Sequence, residues 1–245
     1  MVDVDETDLL SRIEDAIQLL STGDDDTELA AARDALGWAL YMCGTKSRAL
    51  EVFEQNLEGA RRLGHHALVN RSLVGVCQLL VATGEFERAE PLALELHAST
   101  RESEDVQNMV AADHYLSDCA MDRRDYTLAE QHRLSALETA LTIGDVMQQT
   151  IEVLGLAFTA AGLGRDEHAL RLEGAVDSKW TELGVSHAPP LSEAWRQRDL
   201  VPARSRLGKA RTDVAFEEGR VMTWDQAIEL ALASDVAPLV RAVRY

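Results

Sequence analysis

The sequence predicts an all-α protein, a superhelical array of antiparallel helix pairs (an α-solenoid) with a 40-residue repeat and a short C-terminal helical cap. Alanine and leucine are abundant, whereas aromatic residues make up 5% of the chain and prolines number 5, which is a helical composition. No sustained alternation of apolar and polar residues indicates a strand. The repeat is visible in alanines spaced 40 residues apart, at Ala49, Ala89, Ala129 and Ala169.

Four further columns of the repeat keep one kind of residue at the same step. They are an aliphatic column (Leu36, Val76, Leu116, Leu156), a small-residue column (Gly37, Cys77, Ser117, Ala157), a turn column (Gly44, Gly84, Arg124, Gly164) and a junction column (Gly64, Glu104, Gly144, Gly184). Small residues that face alanine let two helices approach closely, and glycine accepts the left-handed conformation that ends a helix. The columns therefore predict four helix pairs, which must stack because one pair cannot bury its apolar face alone.

These residues resemble the tetratricopeptide repeat (TPR). The family pattern of paired large and small residues, a glycine turn, an alanine and a later aromatic is matched by Leu36, Gly37, Leu40, Gly44, Ala49 and Phe53, and again by Val76, Cys77, Leu80, Gly84 and Ala89. The resemblance covers residues 28–184 and implies a helical array that binds through its concave side. Two features differ from the family: the repeat is longer than the usual 34 residues, and the aromatic column continues as Ala93, Arg133 and Glu173.

Three regions follow in chain order. Residues 1–23 contain one amphipathic helix over residues 8–20, either the second half of a truncated repeat or an N-terminal capping helix. Residues 24–184 contain the four helix pairs.

Residues 185–245 form a C-terminal extension that begins with a linker containing Pro189 and Pro190. We expect a helix over residues 191–207 with a kink or break at Pro202, and a short helix near residues 211–218. A final helix capped by Thr223 and a tail without helical signals, for which disorder is the expectation, complete the chain.

The C-terminal part has a second resemblance. Its pattern is similar to the C-terminal end of actinobacterial LuxR-type regulators that carry a nucleotide-switch ATPase, and of related nucleotide-cyclase regulators. The matching residues are Leu172, Gly174, Ala175, Leu183, Gly184, Pro189, Pro190, Phe216, Gly219, Arg220, Ala227 and Ala231. The chain has no GxxxxGK[ST] phosphate loop, no recognisable cyclase core and no obvious helix-turn-helix with a basic surface. The resemblance implies a sensor or scaffold arm of a signalling or transcription regulator, as a standalone protein or as part of a larger one.

Charge and cysteine content narrow the function classes. The net charge of −18 disfavours direct nucleic-acid binding, which depends on Lys and Arg contacts with phosphates, and leaves a solvated surface or attraction of a basic partner. Cys43, Cys77 and Cys119 are widely separated and favour reduced thiols in a cytoplasmic protein. The acidic N-terminus is unlike a signal peptide and no apolar run is long enough to span a membrane. No cofactor is expected.

Two groups of histidine and carboxylate residues are candidates for a metal site or a catalytic dyad. His65 and His66 are adjacent and therefore point to different sides of a helix or lie in a turn, which disfavours a metal site. His114 and Asp118 lie one helical turn apart, but Cys119 is on another face, so a hydrogen-bonded pair is favoured over a catalytic dyad.

Basic residues are concentrated in the C-terminal extension, at Arg196, Arg198, Arg204, Arg206, Lys209 and Arg211. Nucleic acid is disfavoured because no aromatic residues are interleaved with them. We expect these side chains to pair with the acidic surface of the protein itself, or with a neighbouring domain or subunit.

The first helix of each pair is expected to line a concave groove that binds a partner. The predicted groove residues are Asp34, Trp38, Tyr41, Arg71, Val74, Gln78, His114, Asp118, Met121, Leu154 and Phe158. Several are larger and more apolar than a solvated wall requires, and aromatic residues in a polar-rimmed groove are common peptide anchors. The alternative is that the long helices bury them against the next pair.

The sequence thus predicts a non-catalytic module that binds a protein or peptide segment, from another protein or from a parent regulator, or a small effector. The alternative function is a dimerisation or packing arm that uses the C-terminal helices.

Overall fold

The computed structural model describes residues 26–185 and 190–233, together with Ile13, Asp15, Ile17 and Gln18, which are helical. The helices are α1 Asp26–Met42, α2 Lys46–Leu63, α3 His66–Thr83, α4 Phe86–Glu102, α5 Val106–Asp122, α6 Tyr126–Ile143, α7 Val146–Gly162, α8 Asp166–Leu183, α9 Pro190–Trp195, a π-helical turn Arg196–Leu200, α10 Val201–Leu207, α11 Lys209–Arg220 and α12 Trp224–Leu232. No strand occurs in these ranges, and consecutive helices pack against one another, which confirms the predicted all-α array. The remainder of the predicted N-terminal helix, residues 186–189 of the linker and the tail 234–245 lie outside the described residues.

The eight turns that separate α1 to α8 and close α8 have the same conformation. Each contains one residue with φ between 54° and 79°, namely Gly44, Gly64, Gly84, Glu104, Arg124, Gly144, Gly164 and Gly184. The backbone closes each helix in the same way, as where the Gly84 N–H binds the Val81 carbonyl at 3.1 Å and the Glu85 N–H binds the Leu80 carbonyl at 2.8 Å. This is the Schellman end of a helix. The turn and junction columns of the sequence are thereby confirmed, including the two positions without glycine.

Contacts group the chain into two compact units, residues 1–115 (unit 1) and 116–245 (unit 2), with the division inside α5. In unit 1 the core is built around Phe53, which is fully buried. A Cβ atom at Gly37 or Gly75 would lie 2.6 or 2.4 Å from the Phe53 ring, so the ring fits only because both residues are glycine. The Cys77 thiol faces the Ala89 carbonyl at 4.0 Å, which places the predicted small-residue and alanine columns in contact.

Unit 2 repeats the same helix contact with a different filling. The Ser117 hydroxyl donates to the Ala129 carbonyl at 3.0 Å, as Cys77 faces Ala89 in unit 1. Arg133 stands where the repeat has Phe53, and its side chain packs so closely on Gly155 that a Cβ there would lie 2.3 Å from its Nε. At this position of the repeat, a buried charged side chain in unit 2 therefore replaces the buried aromatic ring of unit 1.

The C-terminal extension ends the array. The helix of residues 190–207 widens to a π-helical turn just before Pro202, which has no N–H to donate and so cannot continue the α-helical ladder. Helix α11 then crosses α8 at Gly174 and Gly219, where a Cβ would lie 2.1 Å and 1.9 Å from carbonyl oxygens of the opposite helix. Helix α12 begins with a capping box between Thr223 and Gln226, which confirms the predicted cap.

Candidate binding surface

The surface of unit 1 with the most predicted groove residues is formed by α1, α3 and α5. Trp38, Tyr41, Val74, Gln78 and His114 are half-buried there, so part of each side chain faces solvent. We refer to these five residues together with Asp34, Arg71 and Tyr115 as the unit 1 wall.

An ion pair and a chain of polar side chains hold the unit 1 wall together. The Arg71 guanidinium donates from Nε at 2.8 Å and approaches from Nη2 at 2.6 Å to Oδ2 of Asp34. Asp34 is buried, whereas the Arg71 side chain is 59% exposed. A carboxylate that is itself fixed by burial therefore orients a cation that remains available to solvent.

Gln78 bridges two tyrosines on the neighbouring helices. Its Nε2 donates to the Tyr41 hydroxyl at 3.4 Å, and the Tyr115 hydroxyl donates to its Oε1 at 3.3 Å. Tyr115 was missed in the sequence analysis. The signal that could have found it is the separation of 37 residues that both hydrogen bonds, and the bond from Arg71 to Asp34, share.

Trp38 is the apolar centre of the unit 1 wall. Its indole ring packs edge-to-face on Phe53, with centroids 5.3 Å apart, and on Tyr41 at 6.0 Å. Contact with the buried Phe53 fixes the indole orientation, while its outer edge stays open. A fixed aromatic surface beside a cation and two hydroxyls is the kind of surface on which a peptide side chain can anchor.

The predicted groove residues of unit 2 are buried, so the expectation that they line an open wall is wrong. At most 2% of the surface of each of the residues Asp118, Met121, Leu154 and Phe158 is accessible to solvent. Phe158 packs edge-to-face on Trp195 of α9, with centroids 6.1 Å apart, so the C-terminal extension covers the face that the repeat pattern leaves open. The alternative interpretation, burial by neighbouring helices, holds for this half of the array.

Asp118 has a structural role in unit 2. It accepts a hydrogen bond from Arg133, whose other nitrogen donates to Glu152 at 2.8 Å, and all three side chains are at most 3% exposed. Burial alone would lower the pKa of Arg133, but the Asp118 and Glu152 carboxylates outweigh it and raise that pKa. The group is a closed ion-pair network and not an open site.

The remaining candidates for chemistry lie apart from the unit 1 wall. His65 and His66 are exposed where the chain leaves the Gly64 turn and enters α3. Among the described residues, no three histidine, cysteine or carboxylate side chains are grouped so that they could hold a metal ion. No helix of the described ranges has the length and apolar character needed to cross a membrane.

The six basic residues predicted in the C-terminal extension pair with carboxylates of the same chain, which is the first of the two predicted arrangements. Arg206 and Arg211 bind Asp166 and Glu167 at the start of α8, at 2.6 and 2.8 Å. The other pairs are Arg196 with Glu173, Arg204 with Glu173, Arg198 with Asp199 and Lys209 with Asp213.

No family model matches the sequence, and the comparison with curated proteins found no match.

Proposed function

We propose that the protein is a non-catalytic binding module, a TPR-like arm of a signalling or transcription regulator, and that it captures a protein segment or small effector on the unit 1 wall. The observation that carries the proposal is the half-exposed Trp38, whose ring packs edge-to-face on the buried Phe53 and on Tyr41. Arg71 adds an oriented charge at the edge of the same surface.

A short peptide suits this surface better than a small rigid molecule. The polar groups are spread along three helices, from the Asp34–Arg71 pair to the Tyr41–Gln78–Tyr115 chain. An extended or helical segment can contact all of them, with an apolar side chain on Trp38 and an acceptor at Arg71. The burial of the unit 2 residues confines the proposed contact to the unit 1 wall.

The test is selection of random peptides on the whole chain, followed by affinity measurement on single variants. We expect the selected peptides to lose at least tenfold in affinity, about 1.4 kcal/mol, on Trp38→Ala. Leu94→Ala is the matched control. Leu94 is also an exposed apolar residue, with 54% of its surface accessible, but it lies on α4, the second helix of its pair, and is not part of the unit 1 wall. Equal affinities for the wild type and the Trp38→Ala chain would remove the unit 1 wall from consideration.

The second candidate function, a dimerisation arm, is favoured by exposed apolar residues on the last helices. Val214 and Val221 are 59% and 80% exposed on α11 and at its end. A Val214→Glu, Val221→Glu chain would be monomeric in light scattering where the wild type is dimeric. A wild-type monomer at the highest accessible concentration would exclude this arm.

A further inference from the structure

The C-terminal segment, residues 190–220, lies on unit 2 where the repeat pattern predicts an open face. The column that contains Trp38 and Gln78 in unit 1 continues in unit 2 as Asp118 and Phe158. The first two side chains are half-buried and the last two are buried. Unit 2 thus contains a bound helical segment whose chemistry can be read directly from its contacts.

The segment is anchored by one aromatic side chain. Trp195 is 6% exposed and rests on Phe158 of α7. An indole in an apolar seat, surrounded by polar contacts, is the arrangement found at the centre of helix-in-groove complexes.

Arginines on the segment meet carboxylates on α8. Glu173 is buried, accepts a hydrogen bond from Arg204 at 2.5 Å and forms an ion pair with Arg196. Arg206 and Arg211 pair with Asp166 and Glu167 nearer the start of the same helix. In these pairs α8 supplies the carboxylates, whereas nearer the end of the segment Arg171 of α8 binds the segment's Glu218 at 2.7 Å.

Two further contacts hold the C-terminal segment against the array. Tyr126 of α6 donates to Asp199 at 2.8 Å, and Arg198 donates to the same carboxylate from its Nε and Nη2 atoms. At the other end, Gly219 sits so near the Arg171 backbone that no other residue fits.

We propose that α7 and α8 form a second binding surface, defined by Phe158, Asp166, Glu167, Glu173 and Gly174, for a basic segment of two short helices with a tryptophan anchor. The C-terminal segment is its intramolecular ligand. A partner segment of the same chemistry binds this surface only by displacing the resident segment. The surface uses none of the residues of the unit 1 wall, so its test is independent of the function proposed above.

The first experiment offers the segment in trans. The probe is a fluorescent peptide of residues 190–220, and the host is the full chain carrying Trp195→Ala and Gly219→Ala, which weaken only the resident segment. We expect the host to bind the peptide at least tenfold more tightly than the wild-type chain in fluorescence anisotropy. Adding Glu173→Gln to the host, or replacing Arg196 and Arg204 of the peptide by glutamine, should reverse the gain, and salt should weaken binding.

The second experiment avoids the risk that the host variant unfolds. A protease site inserted after Val185 is cut in the otherwise wild-type chain, and the cut complex is incubated with the labelled peptide. Exchange of the peptide into the complex, with no exchange of the Arg196→Gln, Arg204→Gln peptide, supports the proposal. Absence of exchange, equal exchange of both peptides, or unfolding of the array on cutting would show that the segment is a permanent part of the fold and would overturn it.

Discussion

Arg133 and Phe53 occupy the same column of the repeat and fill the same kind of space by different means. Phe53 is an apolar ring between two glycines, whereas Arg133 lies against Gly155 with its charge held by Asp118 and Glu152. The side chain at this column can change its chemistry because a facing glycine leaves room for it, Gly75 beside Phe53 and Gly155 beside Arg133. The pairing of the charge is then obligatory, since an isolated buried charge costs several kcal/mol.

Removing the charge of Arg133 should therefore be costly. Arg133→Met keeps much of the volume but leaves two carboxylates buried without their cation, so we expect a loss of about 3–5 kcal/mol in the free energy of unfolding. Urea denaturation followed by circular dichroism measures it. The triple variant with Asp118→Asn and Glu152→Gln should recover part of the loss; a single variant within about 1 kcal/mol of wild type would contradict a role for the ion pairs.

Glu104 and Arg124 are the two turn residues without the freedom of glycine. They have φ of 54° and 61°, a conformation that costs residues with a Cβ about 1 kcal/mol. We expect Glu104→Gly and Arg124→Gly each to stabilise the protein by up to about 1 kcal/mol, less the entropy that glycine loses on folding. Thermal unfolding of both variants is compared with Gly84→Ala, which should destabilise because Gly84 has φ of 79°. A lower melting temperature for both glycine variants would contradict the expectation.

At the scale of helices, the sequence was informative wherever one position determines the local structure. The turn and junction columns together predict eight helix ends because a positive φ is a requirement of the backbone at each. The contact register between first helices was not predictable in the same way. It is 37 residues instead of 40, since neighbouring helices meet about one turn out of step, and this offset depends on packing and not on any single residue.

The sequence left the burial of Leu154 and Phe158 open as an alternative for a related reason. Both have the pattern of wall residues, and only the path of the C-terminal segment, which returns over α7, decides their exposure. Glycines carried a usable signal for that path. Gly174 and Gly219 lie inside helices, where glycine is unfavourable without a packing reason, and they mark the crossing of α8 and α11.

This crossing gives a prediction at the helix scale. Gly219→Ala places a Cβ 1.9 Å from the Arg171 carbonyl oxygen, so α11 must move away from α8. We expect a loss of amide protection from hydrogen exchange across residues 209–220. Gly59→Ala is the control, because its Cβ would meet nothing closer than 3.9 Å and alanine favours the helix by about 0.5–1 kcal/mol. Unchanged protection of α11 in Gly219→Ala would contradict a close crossing of α8 and α11 at Gly219.

Over the molecule as a whole, acidic residues are in excess, and the basic residues of the C-terminal extension serve contacts within the chain. Acidic residues number 42 and basic residues 24, yet within residues 190–233 each basic residue of the C-terminal extension pairs with a carboxylate. A chain with such an excess of acid needs its cations to fix long-range contacts, because unpaired carboxylates repel one another. The stability of the extension should therefore respond to pH at groups that join it to the array.

Tyr126 is such a group, and it predicts a loss of stability in alkali. Burial, together with the hydrogen bond to Asp199, raises the pKa of Tyr126 above its ordinary value near 10. The folded protein therefore holds the phenolic proton more tightly than the unfolded chain, so this contribution is complete below about pH 10 and falls as pH rises through the pKa of the folded state. Tyr126→Phe keeps the ring against Gly162 but removes the proton and the bond to Asp199.

The wild type should exceed Tyr126→Phe in free energy of unfolding by about 1.5–3 kcal/mol at neutral pH, the range for a hydrogen bond to a charged group. The difference should shrink as pH rises above about 10, where the phenolate and the Asp199 carboxylate repel each other. Urea denaturation at a series of pH values, with ultraviolet absorbance of tyrosinate followed in parallel, measures both quantities. A difference that stays constant through the alkaline range would show that the Tyr126 proton does not link the extension to the array.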